Sequence, residues 1–417
     1  MRGRPWIPLL AVAAAHAQVP IDADRAERVL AEHTPNPGEI SLRGEFTPLP
    51  PALNFGLRFQ AGFVLSLPLN QWQGAGHSLR VVLAVTPQDG GRRTVYLTSR
   101  YRLPEIPATK MWAQVGGGYL LGEGHYTANA MVFDDAGRVF RTSWQSTAER
   151  GRGTRTLNVN LPPNTVAPLS LFRRSTSAST GASEDAAPRA PAIGRLTVLL
   201  NAAPANPRLS RLQATDTMKL LDALSSAVEQ IPARSVRVVA FNLDQQKEIF
   251  RQDQFGSAGF RELRRALFRL QLATVDVNVL QNPAGSSGLL ASLVNGEIDA
   301  PNRADLVLFL GPHLHSRTKP PLDAAVHPTA DPPGVFYIAI DHPVRHYLPS
   351  IAGPSSARDT SDLSNYPQSQ GVVLPGEMLG EPLGIDIISS LVAKLKGKTE
   401  VVVTPADFAK AIARIAP

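Results

Sequence analysis

The chain contains no cysteine. That excludes disulfides, thiol nucleophiles, cysteine-based zinc sites, iron–sulfur clusters and thiol-attached haem. It also leaves no thiol for a bacterial lipid anchor. Aromatic residues make up only 6%, and no cluster of basic residues is interleaved with them. Nucleic acid is therefore not an expected partner. Glycine-rich phosphate loops of the Gly-x-Gly-x-x-Gly or Walker type are absent, so no nucleotide is implied. Beyond the first residues there is no apolar run near the ~20 that a membrane span needs, so no span is expected in the mature chain. What is present is core material. The chain has 417 residues, of which 43% are hydrophobic and 18% charged. At roughly 100–200 residues per domain this allows two or three domains.

The first seventeen residues read as a secretory signal peptide. Arg2 and Arg4 precede the apolar stretch Trp6–Ala14, and Ala15-His16-Ala17 places small residues where a signal peptidase reads them. Cleavage is expected before Gln18, giving a secreted or periplasmic protein. Losing Arg2 and Arg4 leaves 40 basic against 35 acidic residues, a net charge of +5. Arg261, Arg265 and Arg269 fall at i, i+4, i+8 of a predicted helix. They read as a solvated face, or as one that meets an acidic partner or anionic surface.

Residues 18–44 form a lead segment with a predicted helix over 21–33. From 45 to 165 the period is that of strands. Candidates are 57–67, 79–86, 94–101, 125–133, 138–144 and 156–161, with a hairpin signal at Asp134-Asp135-Ala136-Gly137. The glycines 116–118 read as a turn between strands. Tyr126 opens a late strand, as the residue of a tyrosine corner does. The pattern predicts an all-β, immunoglobulin-like sandwich. Residues 166–193 are rich in Ser, Thr, Ala and Pro and read as a flexible linker, which makes two independent folding units the expectation.

From 194 to 417 strands and helices alternate. Strands are expected at 196–200, 236–243, 248–252, 306–310, 335–340 and 400–403. Helices are expected at 217–231, 260–272, 288–295, 385–395 and 406–415, with Ser286 and Gly296 as the caps of the third. The continuous apolar runs 306–310 and 335–340 predict strands buried on both faces of a mostly parallel, doubly wound sheet.

The segments RLTVLL-NAAPAN, SVRVVAFNLDQQKEIF, GSSGLLASLV, DLVLFLGP, GVFYIAID and GKTEVVVTPADFAKAIARI follow one another in the order of a von Willebrand factor type A domain, which this part of the chain resembles. The resemblance implies that fold, a Rossmann-like α/β sheet. With the signal peptide and lead segment, it is similar to secreted acidobacterial chains carrying a degenerate type A domain. The family's metal-ion-dependent adhesion site implies a carboxylate and two serines after the first strand and an aspartate after the fourth. Here those positions hold Asn201, Ala203, Ala205 and Gly311, and the family's threonine falls on Ser286 or Ser287. Without a carboxylate to offset its dehydration, a divalent ion has no anchor. A metal-independent domain with no cofactor is expected.

Five histidines or acids gather after the fourth and fifth strands of this part: His313, His315, Asp341, His342 and His346. Three histidines and a carboxylate can hold zinc with an open position, and they can equally be loop residues bonded to water. Gly285-Ser286-Ser287-Gly288 lacks the spacing of a nucleophile elbow. The weak ligand-binding set at the carboxyl edge of the sheet is Asn201, Ser286, Ser287, His313, His315, Asp341 and His342. The function expected is non-enzymatic protein–protein interaction with a partner of the cell envelope. The alternative is a zinc-dependent hydrolase using His313, His315 and His342 with Asp341.

Overall fold

The computed structural model describes residues 18–33, 40–91, 93–169, 193–204, 212, 214–270, 272, 279, 281–282, 284–299, 303–313, 326–327, 332–341 and 386–415. The expected signal peptide, most of the expected linker, His315, His342 and His346 lie outside them, as does Ala205.

The N-terminal part is built of β1 (Val19–Pro20), α1 (Ala23–Glu32), β2 (Glu45–Leu53), β3 (Phe59–Pro68), β4 (Ser78–Pro87), β5 (Val95–Arg102), β6 (Trp112–Leu121), β7 (Gly124–Asp134), β8 (Val139–Ala148) and β9 (Val166–Pro168). They form two antiparallel sheets, β1-β5-β4-β7-β8 and β2-β3-β6-β9. Alternate residues point inward, so Phe63, Leu65, Leu67, Leu79, Val81 and Val132 make one core cluster and Leu83, Leu97, Tyr119 and Tyr126 another. Tyr126 is fully buried, and its hydroxyl donates to the Gly122 carbonyl at 2.9 Å. Burial pushes its pKa up to about 12.

Several boundaries differ from expectation. The lead segment is part of this unit: β1 pairs with β5, and Leu42 is buried in the core. Val166–Pro168, placed in the linker by composition, pairs with β6 instead. No strand forms at 156–161. The glycines 116–118 are not a turn but the middle of β6, opposite Val64, Phe63 and Gly62. A Cβ at Gly117 would lie 2.7 Å from the Phe63 ring. Here glycine provides close approach between core groups rather than a change of direction. The strand β2 is not among the expected ones, and it contains Pro48, Pro50 and Pro51. It pairs only with β3, at the edge of its sheet, where a missing N–H goes unused.

The C-terminal part is built of β10 (Ile193–Asn201), α2 (Ala214–Gln230), β11 (Ala233–Asn242), β12 (Lys247–Gln252), α3 (Ser257–Arg269), α4 (Gly285–Ile298), β13 (Leu306–Pro312), β14 (Gly334–Ile340), α5 (Ile387–Lys394), β15 (Lys398–Val402) and α6 (Pro405–Ile415). The sheet order is β12-β11-β10-β13-β14-β15, with β12 alone antiparallel. One face carries a core shared with α2, α3 and α6, the other a core shared with α4 and α5. The protein is thus a multidomain, β-rich chain with an all-β part and a three-layer α/β part. Gly296 lies inside α4 rather than capping it, and no side chain caps that helix at its start. Arg261, Arg265 and Arg269 lie on the exposed face of α3.

The two parts do not merely share a chain. The β2–β3 loop carries Phe55 into the α/β core, where it stacks on Phe408 of α6 with ring centroids 5.0 Å apart. The Phe55 N–H donates to the Asp222 carboxylate at 2.7 Å, and the Ser226 hydroxyl donates to the Phe55 carbonyl at 2.9 Å. Arg58 pairs with Glu229 at 3.2 Å. Met218 of α2 packs on Leu120, Leu161, Ala167 and Leu169. The loop is preset for this: Asn54 bonds Arg58 through both its backbone and its side chain, and Leu57 adopts a φ of 54°. A left-handed leucine is costly and persists only where surrounding contacts fix it.

Burial pushes the Asp222 carboxyl up to about 6, against the Phe55 N–H and Arg58, which favour the charged form; Glu229 adds to the rise. A raised carboxyl pKa contributes stability that is fully present below the unfolded value near 3.8 and is lost as pH rises through about 6. The Asp222→Asn variant should therefore match wild type near pH 4 and exceed it by about 1–3 kcal/mol at pH 8. Urea unfolding at both pH values measures this; a constant difference between them would sink the assignment.

Candidate functional site

The carboxyl ends of β10, β13 and β14 form one edge of the α/β sheet. Parallel sheets expose backbone ends and loops there, and ligands commonly use that edge. Asn201 is the last residue of β10 and is fully buried. Its register partner Phe241 belongs to the core beneath α4 and α5, so by strand alternation Asn201 faces the same side. Among the described residues neither atom of its carboxamide has a hydrogen-bond partner. The end of β13 touches it: a Cβ at Gly311 would lie 2.7 Å from the Asn201 Cβ. Glycine at 311 is what lets the two strand ends meet.

The start of α4 closes over the neighbouring strand end. The Ser286 hydroxyl donates to the Leu243 carbonyl at 2.9 Å, so it anchors the helix to the β11–β12 turn and does not cap it. Ser287, in the same turn, is buried. Asn242 Nδ2 donates to the Ala202 carbonyl at 2.8 Å, fixing the segment after β10. Burial also raises the pKa of Asp244 in this turn.

His313 follows β13, and its Nε2 lies 3.4 Å from Oδ2 of Asp386. Asp386 caps α5, its other oxygen accepting from the backbone N–H of Ile388 and Ser389 at 2.8 and 3.2 Å. Tyr337 reaches the same corner, with its hydroxyl donating to the Pro312 carbonyl at 2.9 Å. Burial, together with the charge of Asp386, drives its pKa well above the ordinary value. Asp341 continues from β14, its N–H bonded to the Val402 carbonyl.

Of the expected set, Asn201, Ser286, Ser287, His313 and Asp341 are all placed at this edge. His315 and His342 fall outside the described residues. Sequence reasoning missed Asp386 and Tyr337. The sequence signal for Asp386 was available, since an Asp immediately before the first apolar residues of a helix marks its start. Among the described residues no three His, Asp or Glu side chains are arranged to hold a metal ion. Chemically, the corner offers a neutral amide donor and acceptor, a histidine oriented by a carboxylate, and a serine at a helix start.

A groove of about 450 Å³ lies elsewhere, on the outer face of the five-stranded sheet beneath α1, lined by Leu30, His33, Val82, Met131 and Arg141 among others. His33 stacks on Phe133 at 4.1 Å between ring centroids. Among the described residues no helix is long and apolar enough to cross a membrane.

No family model matches the chain, and no curated protein matches it. Among solved structures it shows a likeness to a superoxide reductase (neelaredoxin) from Ignicoccus hospitalis, at 15% identity and a TM-score of 0.19, covering 30% of this chain and 92% of that one. The superoxide reductase from Archaeoglobus fulgidus gives 11% identity and 0.19, covering 28% and 96%. A lipoprotein from Bacteroides thetaiotaomicron gives 10% and 0.17, covering 28% and 90%. At these scores the likeness carries no argument about the function of this chain.

Proposed function

We propose that this is an exported, non-enzymatic protein–protein interaction protein of the cell envelope, acting in adhesion, scaffolding or assembly. In this reading an immunoglobulin-like sandwich is joined to a metal-independent von Willebrand factor type A-like domain. The order β10-α2-β11-β12-α3-α4-β13-β14-α5-β15-α6 supports the second assignment, and the back-bonded Tyr126 hydroxyl supports the first. One observation carries the functional reading. Asn201 and Gly311 meet at the carboxyl edge, where a metal-dependent relative would bring together two carboxylates. An amide and a bare backbone supply no charge to offset the dehydration of Mg²⁺. Fold-level analogy by itself is an associational warrant, so the test is a binding experiment.

The mature chain should crosslink to a protein of the envelope fraction, and adding or chelating magnesium should leave that capture unchanged. Magnesium at millimolar levels should also leave the thermal midpoint in place, since a ligand at its dissociation constant already stabilises by about 0.4 kcal/mol. Zinc at micromolar levels should likewise produce no shift. A stoichiometric zinc content that disappears in His313→Ala would replace this reading with the hydrolase one.

A further inference from the structure

Gln18 is the residue that cleavage after Ala17 would leave at the amino terminus, and it is 1% exposed. It does not dangle. Val19 and Pro20 pair with Thr98 and Leu97 of β5, and the Ile21 N–H donates to the Tyr96 carbonyl at 3.0 Å. This pins the start of the chain against the sandwich. The Gln18 side chain enters where β6 has no side chain: its Nε2 lies 2.9 Å from the position a Cβ at Gly117 would take, and the buried Phe63 ring flanks the same point. Among the described residues neither its Nε2 nor its Oε1 has a hydrogen-bond partner.

Two costs meet at this position. A buried carboxamide with no partner loses its hydration without compensation. A freshly cleaved terminus adds an ammonium group on the same residue, next to the strand pairing that pins Val19 and Pro20. Burying an unpaired ammonium costs far more than burying a neutral group.

We propose that Gln18 of the exported chain is converted to pyroglutamate. The inference rests on the export reading, specifically on cleavage after Ala17. The α-amino nitrogen attacks Cδ of its own side chain and forms a C–N bond. The bond from Cδ to the side-chain nitrogen breaks, and that nitrogen leaves as ammonia with a proton taken from the amine. No oxidant or external group is consumed, and the reaction is intramolecular. The product is a neutral lactam with one N–H donor and one carbonyl acceptor. The charge and the surplus donors disappear from the buried site.

The test is peptide mass analysis and amino-terminal sequencing of freshly purified, full mature protein from a secreting host. The expected terminal peptide begins at residue 18, is lighter than its sequence by one ammonia, and resists sequencing until the lactam is removed enzymatically from the denatured chain. A terminal peptide beginning at Gln18 with its carboxamide intact and a free amine overturns the proposal and leaves the cleavage reading standing. A terminus at any other residue overturns both.

Discussion

Glu297→Ala should cost the α/β part about 3–5 kcal/mol, the range found when one partner of a buried ion pair is removed. Glu297 is 1% exposed near the end of α4. It accepts from both the Thr197 hydroxyl, at 2.7 Å, and Arg237 Nη1, at 2.9 and 3.1 Å. Arg237 is itself buried and also pairs with Asp253, while Arg251 approaches Glu297 at 3.8 Å. The alanine variant leaves the buried Arg237 guanidinium with Asp253 as its remaining carboxylate and removes the acceptor of the Thr197 hydroxyl. Replacing the pair together, as Glu297→Leu with Arg237→Leu, should cost less than the single change, because no charge is left behind. Urea unfolding of the two variants measures the difference. A single-variant loss under about 1 kcal/mol would mean that water reaches the network.

The second large effect is expected at Phe55. Truncating a buried phenylalanine costs about 3–5 kcal/mol, and here the loss falls on the contact between the two parts. The composition of 170–192 makes it the expected site of first proteolysis. After such a cut, wild-type fragments should still elute together, held by Phe55 against Phe408, the bond to Asp222 and the Arg58–Glu229 pair. Phe55→Ala fragments should separate on the same column. Co-elution of the variant fragments would show that Met218 and its neighbours suffice.

How much of this was legible from the residues varies with the kind of signal. Apolar runs such as 306–310 and 335–340 betray strands buried on both faces, and β13 and β14 lie there. Helix periodicity likewise located α2, α3 and α6. Positions where backbone approach outweighs propensity were not legible. Three consecutive glycines read as a turn, but the Phe63 ring needs the room they leave. The proline-bearing stretch 45–53 was not among the expected strands, and at a sheet edge its missing N–H groups cost little. Phe55 carried no signal, because a lone aromatic in a loop is indistinguishable from one that plugs a distant core. At the candidate site, Asn201, Ser286 and Ser287 were reached through the family resemblance, and His313 as one of the histidines clustered after the fourth strand of that part. Asp386 and Tyr337 joined them through pairing of β14 with β13 and β15, which local pattern does not report.

The Phe55–Phe408 contact also orders events in time. It joins a loop near the beginning of the chain to its last helix, so the cavity that receives Phe55 does not exist until α6 has packed. Closing so long a stretch of chain carries an entropic cost that local strand pairing does not meet. A chain emerging from its amino terminus first can pair β2 with β3 early, but it holds an exposed aromatic until its final residues arrive. Under the proposed export reading, this delay would keep the native state out of reach while translocation is under way. It also makes the last eleven residues of regular structure, Pro405–Ile415, the element whose arrival locks both halves.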